Sequence, residues 1–537
     1  MDNTIIGLGA SPRTNSASGQ VSILYDLAYA CWPGTSGIPQ DTRMTYRALA
    51  AGSFQLTGLL REPNGYNTTL SISRQITPEG KALDVEASNF FLGLSGVTPL
   101  ESKLLKKPKR LWYTLWRWVE NFRSGGCIPQ LLNKNIFFDI VWRMAFERSL
   151  PPEDRALFEK TNLTISNLTV GDVMRSLASP YFRPPRLQTE GFDFAIFQNG
   201  TPLHVSPGTI KVDRIYDMIP ITDSDTIHGN GGNQANIHYH SIARGIGHTH
   251  YVCISEASRQ DLIKVFPQLK NRSYTIPCSV SDQISPLVDY LPPVEIVRTK
   301  LSVSCVFKNN DMPPAAYHSL QQQVIARAQL DKPLRYIMTL STIEPRKNLI
   351  SVIRAWEQLL YRGYPELKLI IVGKEGWRYQ AILEAMAPRV VTGQLLHLKD
   401  LSFPEIQSLY KSALCLVSPS YNEGFNLPPM EAFNCGTPSV LSDIPVHHWV
   451  MEEAALYASP YDIDQLSQQI ERLVSGTAEA QALRQELLAK GRHLTKRYAP
   501  DTVAAQWNTL LQDLYAREKG RSVLTEPIVT SPQDFAA

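Results

Sequence analysis

The chain lacks the features that mark secreted, membrane-spanning and disulfide-stabilised proteins. No stretch of about 18 uncharged apolar residues predicts a helix that spans a membrane. The first residues do not join a basic stretch to an apolar one, so we expect no signal peptide. Seven cysteines are scattered without a CxxC pair, and their odd number favours free thiols in a reducing compartment. These absences predict a cytoplasmic protein.

Charge of one sign and low-complexity sequence are also scarce. The net charge is +3 over 537 residues, which is too small to indicate nucleic acid as a partner. Hydrophobic residues make up 43% and charged residues 19% of the chain, as in ordinary globular proteins. At about 100–200 residues for each domain, the length predicts two or three domains.

The C-terminal half alternates short apolar runs with amphipathic segments. The runs that predict buried strands are 336–341, 367–373, 395–398, 414–418 and 439–442. Apolar residues at helical spacing separate them, for example over 348–362. Strands that alternate with helices indicate βαβ units and a doubly wound parallel sheet.

The N-terminal half has the same character with weaker signals. Its strand candidates are 21–28, 192–198, 211–221 and 250–254, with a helix over 44–51. We therefore predict two α/β, Rossmann-like domains. The predicted parts are an N-terminal domain over 1–285 with an insertion over about 81–186, a linker region over 286–332, a C-terminal ligand-binding domain over 333–498, and a C-terminal helix and tail over 499–537.

The residues after 414–418 are the first candidate site, because ligands of open parallel sheets bind beyond the carboxyl ends of the strands. Gly424 permits a tight turn and a close approach of the backbone to a ligand. Two prolines then suit the first turn of a helix, whose free amides favour a phosphate. Glu423 and Glu431 flank this predicted anion site, where each could accept hydrogen bonds from sugar hydroxyls. The alternative is an ordinary helix start with two unrelated glutamates.

This segment resembles the E-x7-E region of retaining glycosyltransferases of the GT-B fold, specifically the large family four. In that family the first glutamate contacts the transferred hexose, the amides that follow meet the diphosphate, and the second glutamate holds the nucleotide ribose. The resemblance implies donor-binding roles for Glu423, Gly424, Phe425, Asn426, Leu427 and Glu431.

A second loop carries the same resemblance. Residues 341–348, Ser-Thr-Ile-Glu-Pro-Arg-Lys-Asn, resemble the family's G-T-x-E-P-R-K-N loop, whose lysine binds the donor diphosphate. The resemblance implies that Lys347 holds the diphosphate, with Arg346 beside it. Many family members carry a further arginine where Thr342 stands here, so Lys374, after the next strand, is a candidate for additional positive charge.

The loop 36–43, Ser-Gly-Ile-Pro-Gln-Asp-Thr-Arg, resembles the family's S-G-I-x-R-Y-T loop, which faces the donor phosphate and the acceptor. The resemblance implies a donor-side role for Gly37. Gln40 and Asp41 replace the usual arginine and tyrosine, and we expect Arg43 to supply the missing charge.

Three further segments resemble the family. Residues 214–220 look like its strand that ends in D-x-I-P, which makes Asp217 the acceptor-side catalytic candidate, although Tyr216 stands where many relatives have histidine. Ser255, in a segment that resembles I-S-E-x-S, is predicted to cap a helix. Asp443, in Ser-Asp-Ile-Pro, is predicted to be a structural cap after a strand.

The resemblance implies a GT-B enzyme that moves a hexose from a nucleotide-sugar donor to a glycan or lipid-linked acceptor, with retention of configuration, in polysaccharide biosynthesis. The C-terminal motifs most resemble bacterial polysaccharide mannosyltransferases, which favours GDP-mannose as the donor. Catalytic roles fall on Asp217, Lys347 and Glu423. No metal or other cofactor is expected, because lysine and helix amides neutralise the diphosphate. The last helix is expected to cross back to the N-terminal domain.

Two other features suggest different partners. His238 with His240, and His248 with His250, form H-x-H pairs that could indicate a metal site, although neither pair has the i,i+4 spacing of a helical site. The segment 103–123 is basic and rich in tryptophan, which is typical of a helix at a membrane interface. It would suit a peripheral enzyme on the inner face of the cell membrane; the alternative is a helix packed on the core with a solvated basic face.

Three other function classes stay open on the sequence. A glycoside hydrolase or phosphorylase on a similar fold would need two carboxylates across the scissile bond. A non-catalytic nucleotide-sugar-binding partner of a synthesis complex would account for the departures at Gln40, Asp41 and Tyr216. A membrane-surface scaffold would use segment 103–123 but would leave the diphosphate motifs unexplained.

Overall fold

The computed structural model describes residues 20–31, 37–61, 126–147, 149–166, 168, 173, 177, 184–226, 231–280, 291–306 and 313–520. The segment 103–123 and residue 36 lie outside these ranges, so the predictions made for them stay predictions. No helix within the described ranges is long and apolar enough to cross a membrane.

The first sheet has eight strands in the order β3-β4-β2-β1-β5-β6-β7-β8. Their bounds are β1 Ser22–Asp26, β2 Gln55–Leu60, β3 Gln130–Leu131, β4 Asn162–Ile165, β5 Phe194–Gln198, β6 Ile210–Ile215, β7 Thr249–Cys253 and β8 Ser273–Thr275. All neighbours are parallel except β3 and β4. The order reverses between β1 and β5, so this edge is the sheet's topological switch point.

The second sheet has six parallel strands in the order β11-β10-β9-β12-β13-β14. Their bounds are β9 Tyr336–Leu340, β10 Lys368–Val372, β11 Leu395–Leu398, β12 Leu416–Ser418, β13 Ser439–Ser442 and β14 Ala455–Ala458. In chain order this is the 3-2-1-4-5-6 arrangement of nucleotide-binding sheets. Its switch point lies between β9 and β12, the two strands that precede the two donor-side motifs.

The helices cover the sheets in alternation with the strands, as short right-handed crossovers require. Those of the N-terminal part are α1 Ile38–Ala50, α2 Lys134–Val141, α3 Arg155–Phe158, α4 Ile219–Thr222, α5 Gly231–Ala243 and α6 Glu256–Val265. Those of the C-terminal part are α7 Pro293–Lys300, α8 Pro314–Arg327, α9 Leu349–Tyr361, α10 Gln380–Val391, α11 Phe403–Ser412, α12 Leu427–Asn434, α13 Pro445–Met451, α14 Ile463–Val474, α15 Ala478–Lys490, α16 Arg492–Arg497 and α17 Pro500–Lys519.

The structure differs from the predicted insertion and linker. Strand β4, inside the range 81–186 assigned to an insertion, pairs with β2 within the first sheet. Ile296 and Val324, inside the predicted linker 286–332, are buried in the hydrophobic core of the second sheet. Apolar residues on α7 and α8 are too few to show a clear helical period, yet those two helices contribute to the C-terminal core.

The last helix packs on the N-terminal sheet. Val503, Trp507, Leu511 and Leu514 of α17 are buried with residues of β1 and α1 in one hydrophobic cluster. The chain therefore returns to its first domain after completing the second, as the resemblance implies.

Candidate active site

Glu423 lies at the switch point of the second sheet, in the loop after β12. Arg346 Nη1 donates to Glu423 Oε2 over 2.7 Å and Lys347 Nζ donates to Oε1 over 2.6 Å. Both cations belong to the short 3-10 turn Pro345–Lys347 that follows β9. The two loops that the sequence singles out therefore meet through one carboxylate and two cations.

This cluster is largely withdrawn from water. Glu423 is 7% exposed, and burial opposes its ionisation, but Arg346 and Lys347 together hold its pKa well below the usual range. Burial lowers the pKa of Lys347, and Glu423 opposes that effect. Arg346 also bonds Glu344 and the carbonyl of Asn422. The two cations therefore keep Glu423 ionised in a site that is mostly buried.

The loop after Glu423 is held in a strained turn by a histidine. Asn426 has a left-handed backbone, with φ of 70°, and immediately precedes α12. Its Nδ2 donates to Ser418 Oγ over 3.0 Å and to His447 Nε2 over 2.8 Å. Burial lowers the pKa of His447 to about 4, so the ring is neutral and Nδ1–H donates to the Ser442 carbonyl. His447 therefore fixes the turn that leads into α12.

Phe425 has a structural role through its side chain. The ring is 3% exposed and packs edge-on against Trp449 and Tyr498. Edge-to-face packing of this kind fixes both rings. The side chain therefore anchors the loop, which leaves the backbone of residues 424–427 as the part able to meet a ligand.

Glu431, on α12, lies between the two domains. Its Oε2 accepts a hydrogen bond from the Tyr410 hydroxyl over 3.2 Å. Burial raises the pKa of Glu431 to about 7, against the opposing effects of Tyr410 and of Gln40 from helix α1. Gln40 thus approaches Glu431, the predicted ribose-binding carboxylate, from the N-terminal domain. In the resembled family an arginine usually stands at this position. Gly37, one turn earlier, precedes α1 with φ of 67°.

The two domains touch at Gly424. Its carbonyl accepts hydrogen bonds from Ser255 Oγ over 2.6 Å and Ser258 Oγ over 3.3 Å. A Cβ at Gly424 would lie 2.2 Å from the carbonyl oxygen of Tyr216, so glycine is required by close approach of two backbones. Ser255 also caps α6 by accepting from the Ser258 amide, which confirms its predicted structural role and adds a contact between domains.

Asp217 of the N-terminal domain lies near enough to the Glu423 cluster to feel its charges. Burial raises its pKa, and the nearby charges of Arg346 and His238 oppose that rise. Its Oδ1 accepts from the Ile219 amide over 3.1 Å, and His238 Nε2 contacts its carbonyl over 3.1 Å. The structure therefore brings Asp217 into the electrostatic range of the Glu423 cluster.

Other predicted residues lie elsewhere. Lys374 pairs at 2.5 Å with Asp400 on the surface, where both side chains are about 70% exposed. The expectation that Arg43 supplies charge to the donor is wrong, because its guanidinium is fully buried against the Ala30 carbonyl and Ser149. Asp443 pairs with exposed His448, and Ile444 rather than Asp443 occupies the N-cap position of α13, without a side-chain cap hydrogen bond.

Asp41 forms a buried ion pair with Arg214. Arg214 Nη2 donates to Asp41 Oδ1 over 2.9 Å, and Arg214 Nε donates to Asp41 Oδ2 over 3.0 Å. Arg214 also donates to the Ile276 carbonyl over 2.6 Å. The carboxylate that replaces a tyrosine in the loop 36–43 is thus part of the domain's own structure.

The sequence did not mark Gln40, Tyr410 or His447 as site residues, since each acts through a partner distant in the chain.

The raised pKa of Glu431 predicts a pH-dependent stability. The folded state binds this proton more tightly than the unfolded chain, so the stabilisation is complete below pH about 4.5 and is lost as the pH rises through about 7. We expect the melting temperature of Glu431→Gln, which mimics the protonated form, to fall less than that of the wild type between pH about 5 and 7.5.

Thermal unfolding of both proteins across that pH range gives the slope of melting temperature against pH for each, and the two slopes are compared. Glu453→Gln, at an 83% exposed position, is the matched control and should keep the wild-type slope. Parallel curves for the wild type and Glu431→Gln would show that Glu431 does not bind the proton.

Within the described part of the chain, no three histidine, cysteine, aspartate or glutamate side chains lie together in a way that could hold a metal ion. His238 instead contacts the Asp217 carbonyl, and His250 lies beside Glu518 of α17 at 3.2 Å. One histidine of each H-x-H pair therefore makes a contact within the protein.

Comparison with known proteins agrees with the fold and with the donor-side half. Residues 321–490 match the family model of glycosyl transferases group 1. O-antigen chain mannosyltransferase B of Escherichia coli is 32% identical over 135 residues, which is 25% of this chain and 35% of the relative. O-antigen chain mannosyltransferase RfbU of Salmonella typhimurium is 33% identical over 130 residues, which is 24% of this chain and 35% of the relative.

A solved structure covers more of the chain. Sucrose-phosphate synthase from Thermosynechococcus elongatus superposes with a TM-score of 0.51 at 13% identity, over 93% of this chain and 100% of that one. At this identity the likeness concerns the fold, and it confirms the predicted GT-B architecture. The matched segment spans about a third of the length of the curated relatives. The chain thus has the GT-B fold, resembles the group 1 glycosyl transferases over residues 321–490, and resembles O-antigen mannosyltransferases over about a quarter of its length.

Proposed function

We propose that this protein transfers a hexose from a nucleotide-sugar donor, GDP-mannose in the first instance, to a glycan or lipid-linked acceptor during polysaccharide biosynthesis. The observation that carries the proposal is the Glu423 cluster, where Arg346 and Lys347 converge on one carboxylate at the switch point of a nucleotide-binding sheet. The match of residues 321–490 to group 1 glycosyl transferases supports the reaction class.

Donor binding is proposed to exchange one anion for another. The diphosphate takes the place of Glu423 on Lys347 and Arg346. The backbone amides of residues 424–427 add to this phosphate site, since Pro428 and Pro429 of α12 have no N–H. The carboxylate of Glu423, released from its cations, accepts hydrogen bonds from the hexose hydroxyls. Glu431, in its ionised form, accepts hydrogen bonds from the ribose.

Retention is proposed to follow from displacement on the face that the diphosphate leaves. The bond between the anomeric carbon and the phosphate oxygen breaks, the acceptor oxygen bonds to the same carbon, and its proton passes to the departing phosphate. Lys347 and Arg346 stabilise the charge that develops on the diphosphate. Asp217 is proposed to orient the acceptor hydroxyl from across the cleft, which its place opposite the cluster supports.

A thermal-shift panel tests the donor. A ligand that binds only the folded state stabilises it, by about 2.7 kcal/mol at a concentration of 100 times Kd. We expect GDP-mannose to raise the melting temperature more than UDP-glucose or a dTDP-hexose, because the two O-antigen relatives named above are mannosyltransferases. No shift with any nucleotide sugar would contradict the proposal, and NMR of the product anomer then tests retention.

Turnover separates the proposal from its alternatives. A transferase forms a new glycoside only with an acceptor, whereas rapid release of free hexose without acceptor would favour a hydrolase. A chain that binds the donor but never turns it over, with any acceptor offered, would favour a non-catalytic partner.

We further propose that segment 103–123 holds the enzyme at an anionic membrane surface, where a lipid-linked acceptor resides. Basic residues near a surface contribute about 1 kcal/mol each, so sedimentation with anionic vesicles should fall as salt rises. Replacement of Lys103, Lys106 and Lys107 by serine should release most of the bound protein, whereas serine at Lys490, a surface lysine elsewhere, should not. Failure of the wild type to bind anionic vesicles would refute this membrane role.

A further inference from the structure

We propose that Asp223 of the N-terminal domain is a positioning residue for Glu423, and that it acts through Asn422 of the C-terminal domain. This inference rests on the proposed function, because it gives Asp223 the task of setting the carboxylate that holds the hexose. Asp223 does not itself touch the donor; it fixes the loop that does.

Asn422 immediately precedes Glu423 in the loop after β12, and both its side chain and its carbonyl make specific bonds. Its Oδ1 accepts from the Glu423 amide over 2.8 Å, and its carbonyl accepts from Arg346 Nη1 over 2.8 Å. Because only Oδ1 can accept that amide proton, Nδ2 is the atom left for another partner. It donates to Asp223 Oδ2 over 2.6 Å, so the side-chain amide is fixed at both ends.

The bond from Asn422 to Asp223 crosses from one domain to the other. Asp223 directly follows helix α4 of the N-terminal domain, whereas Asn422 lies at the switch point of the second sheet. The Asp223 side chain is partly buried, and the Thr222 hydroxyl lies 2.9 Å from the same carboxylate oxygen. Hydrogen bonds to an ionised group are roughly twice as strong as neutral ones. The position of the N-terminal domain is therefore transmitted to the loop of Glu423 by one side chain.

A second contact holds the same part of the N-terminal domain. Arg378, in the loop after β10, donates from Nη1 to the carbonyl of Asp225 over 3.0 Å. The Arg378 backbone is left-handed, with φ of 49°, a conformation that is uncommon for residues other than glycine. Two loops at the carboxyl edge of the second sheet thus hold the segment 223–225. Two separate attachments fix its orientation as well as its position.

The held segment is connected to the acceptor-side candidate. Asp217 Oδ1 accepts from the amide of Ile219, the first residue of α4, and Asp223 follows the last residue of that helix. Because α4 is only four residues long, the bond at Asp223 also limits how far Asp217 can move from the Glu423 cluster. One short helix therefore relates the acceptor side to the carboxylate proposed to hold the hexose.

Glu423 needs this support once the donor is bound. Without donor, Arg346 and Lys347 hold its carboxylate directly. When the diphosphate takes those cations, the bond from the Glu423 amide to Asn422 remains and sets where the carboxylate lies against the hexose. A misplacement of about 1 Å can cost about 100-fold in rate, so the orientation of this loop has a large effect on transfer.

Asp223→Ala tests the inference in the full chain. The nucleotide sugar that gives the largest thermal shift is compared with its own nucleoside diphosphate, GDP-mannose with GDP in the first instance. We expect kcat to fall by about 10- to 100-fold, as for loss of one hydrogen bond to a charged group. The ratio of the two affinities should fall about tenfold, because only the sugar nucleotide depends on Glu423, and GDP alone should bind within about twofold of the wild type. Calorimetry and a transfer assay measure these effects.

Matched variants separate positioning from a general disturbance of the fold. Asp223→Asn keeps an acceptor oxygen for Asn422 and should recover the ratio to within about threefold of the wild type. Asp225→Ala removes a carboxylate from the same segment but retains the carbonyl that Arg378 meets, so it should behave as the wild type. Asn422→Ala should match Asp223→Ala, and the double variant should lose no more than Asn422→Ala, because both residues act through one bond.

The outcomes separate this inference from the proposed function. An unchanged affinity ratio in Asp223→Ala, an equal loss in Asp225→Ala, or additive losses in the double variant would overturn the positioning role. In each of those cases normal transfer by the wild type would leave the proposed function standing. Absence of binding by the wild type to any nucleotide sugar would contradict the proposed function and this inference together.

Discussion

Lys347→Ala is expected to lower kcat for hexose transfer by roughly 100- to 1,000-fold, the usual cost of removing one preorganised donor to a developing anion. Lys347 meets Glu423 over 2.6 Å in a site largely withdrawn from water, where electrostatic contacts are stronger than in solvent. The fold should survive, because Arg346 still holds Glu423 over 2.7 Å. Transfer of labelled hexose, with a thermal melt of the same sample, measures both.

A surface lysine gives the matched control. Lys264 pairs with Asp261 over 2.9 Å but is 75% exposed, and Lys264→Ala should leave kcat unchanged because exposed ion pairs contribute about 0–1 kcal/mol. Lys347→Arg should recover part of the rate, since it restores the charge. Full activity in Lys347→Ala would contradict the role assigned to this lysine.

Glu423→Ala is expected to act in opposite directions on transfer and on diphosphate binding. Transfer should fall by more than about 100-fold, because the carboxylate proposed to hold the hexose is lost. GDP, which lacks the hexose, should bind about tenfold more tightly, because Arg346 and Lys347 no longer need to leave a carboxylate before they meet phosphate. Calorimetry with GDP and a transfer assay measure the two effects on the same preparation.

The fold of Glu423→Ala should be weakened only moderately. Loss of one member of a buried ion pair costs about 3–5 kcal/mol when the partner is left alone, but Arg346 keeps its bonds to Glu344 and to the Asn422 carbonyl. Glu453→Ala, at a highly exposed carboxylate, is the control for nonspecific charge effects on GDP binding. Weaker GDP binding together with normal transfer would refute the proposed exchange of anions.

The C-terminal sheet could be predicted closely from the sequence. The runs 336–341 and 395–398 became β9 Tyr336–Leu340 and β11 Leu395–Leu398, because each is a mostly apolar stretch of strand length. The fold class could be predicted from the alternation of strands and helices. The meeting of Lys347 with Glu423 could be predicted from their positions after neighbouring strands. The roles of these residues toward a donor stay predictions.

The N-terminal domain was predicted less well. Strand β2 carries Thr57 and Gly58 in its middle, and β4 is only four residues long, so neither produces a strong local signal. Strand β2 depends on pairing with β1 and β4, and β4 depends on pairing with β2 and β3. Arg43 is buried in its own domain, and Gln40 lies at Glu431. Tertiary packing sets both positions, and local sequence does not encode it.

The return of α17 to the first sheet has a consequence for engineering this protein. Trp507 lies 5.5 Å from the guanidinium of Arg214, so the helix covers the buried pair that Arg214 forms with Asp41. A chimera that exchanges donor specificity with a relative should therefore exchange only the segment up to about α16 and retain the native 500–519. A graft that runs to the end of the chain would replace the helix that covers the N-terminal sheet together with the C-terminal domain.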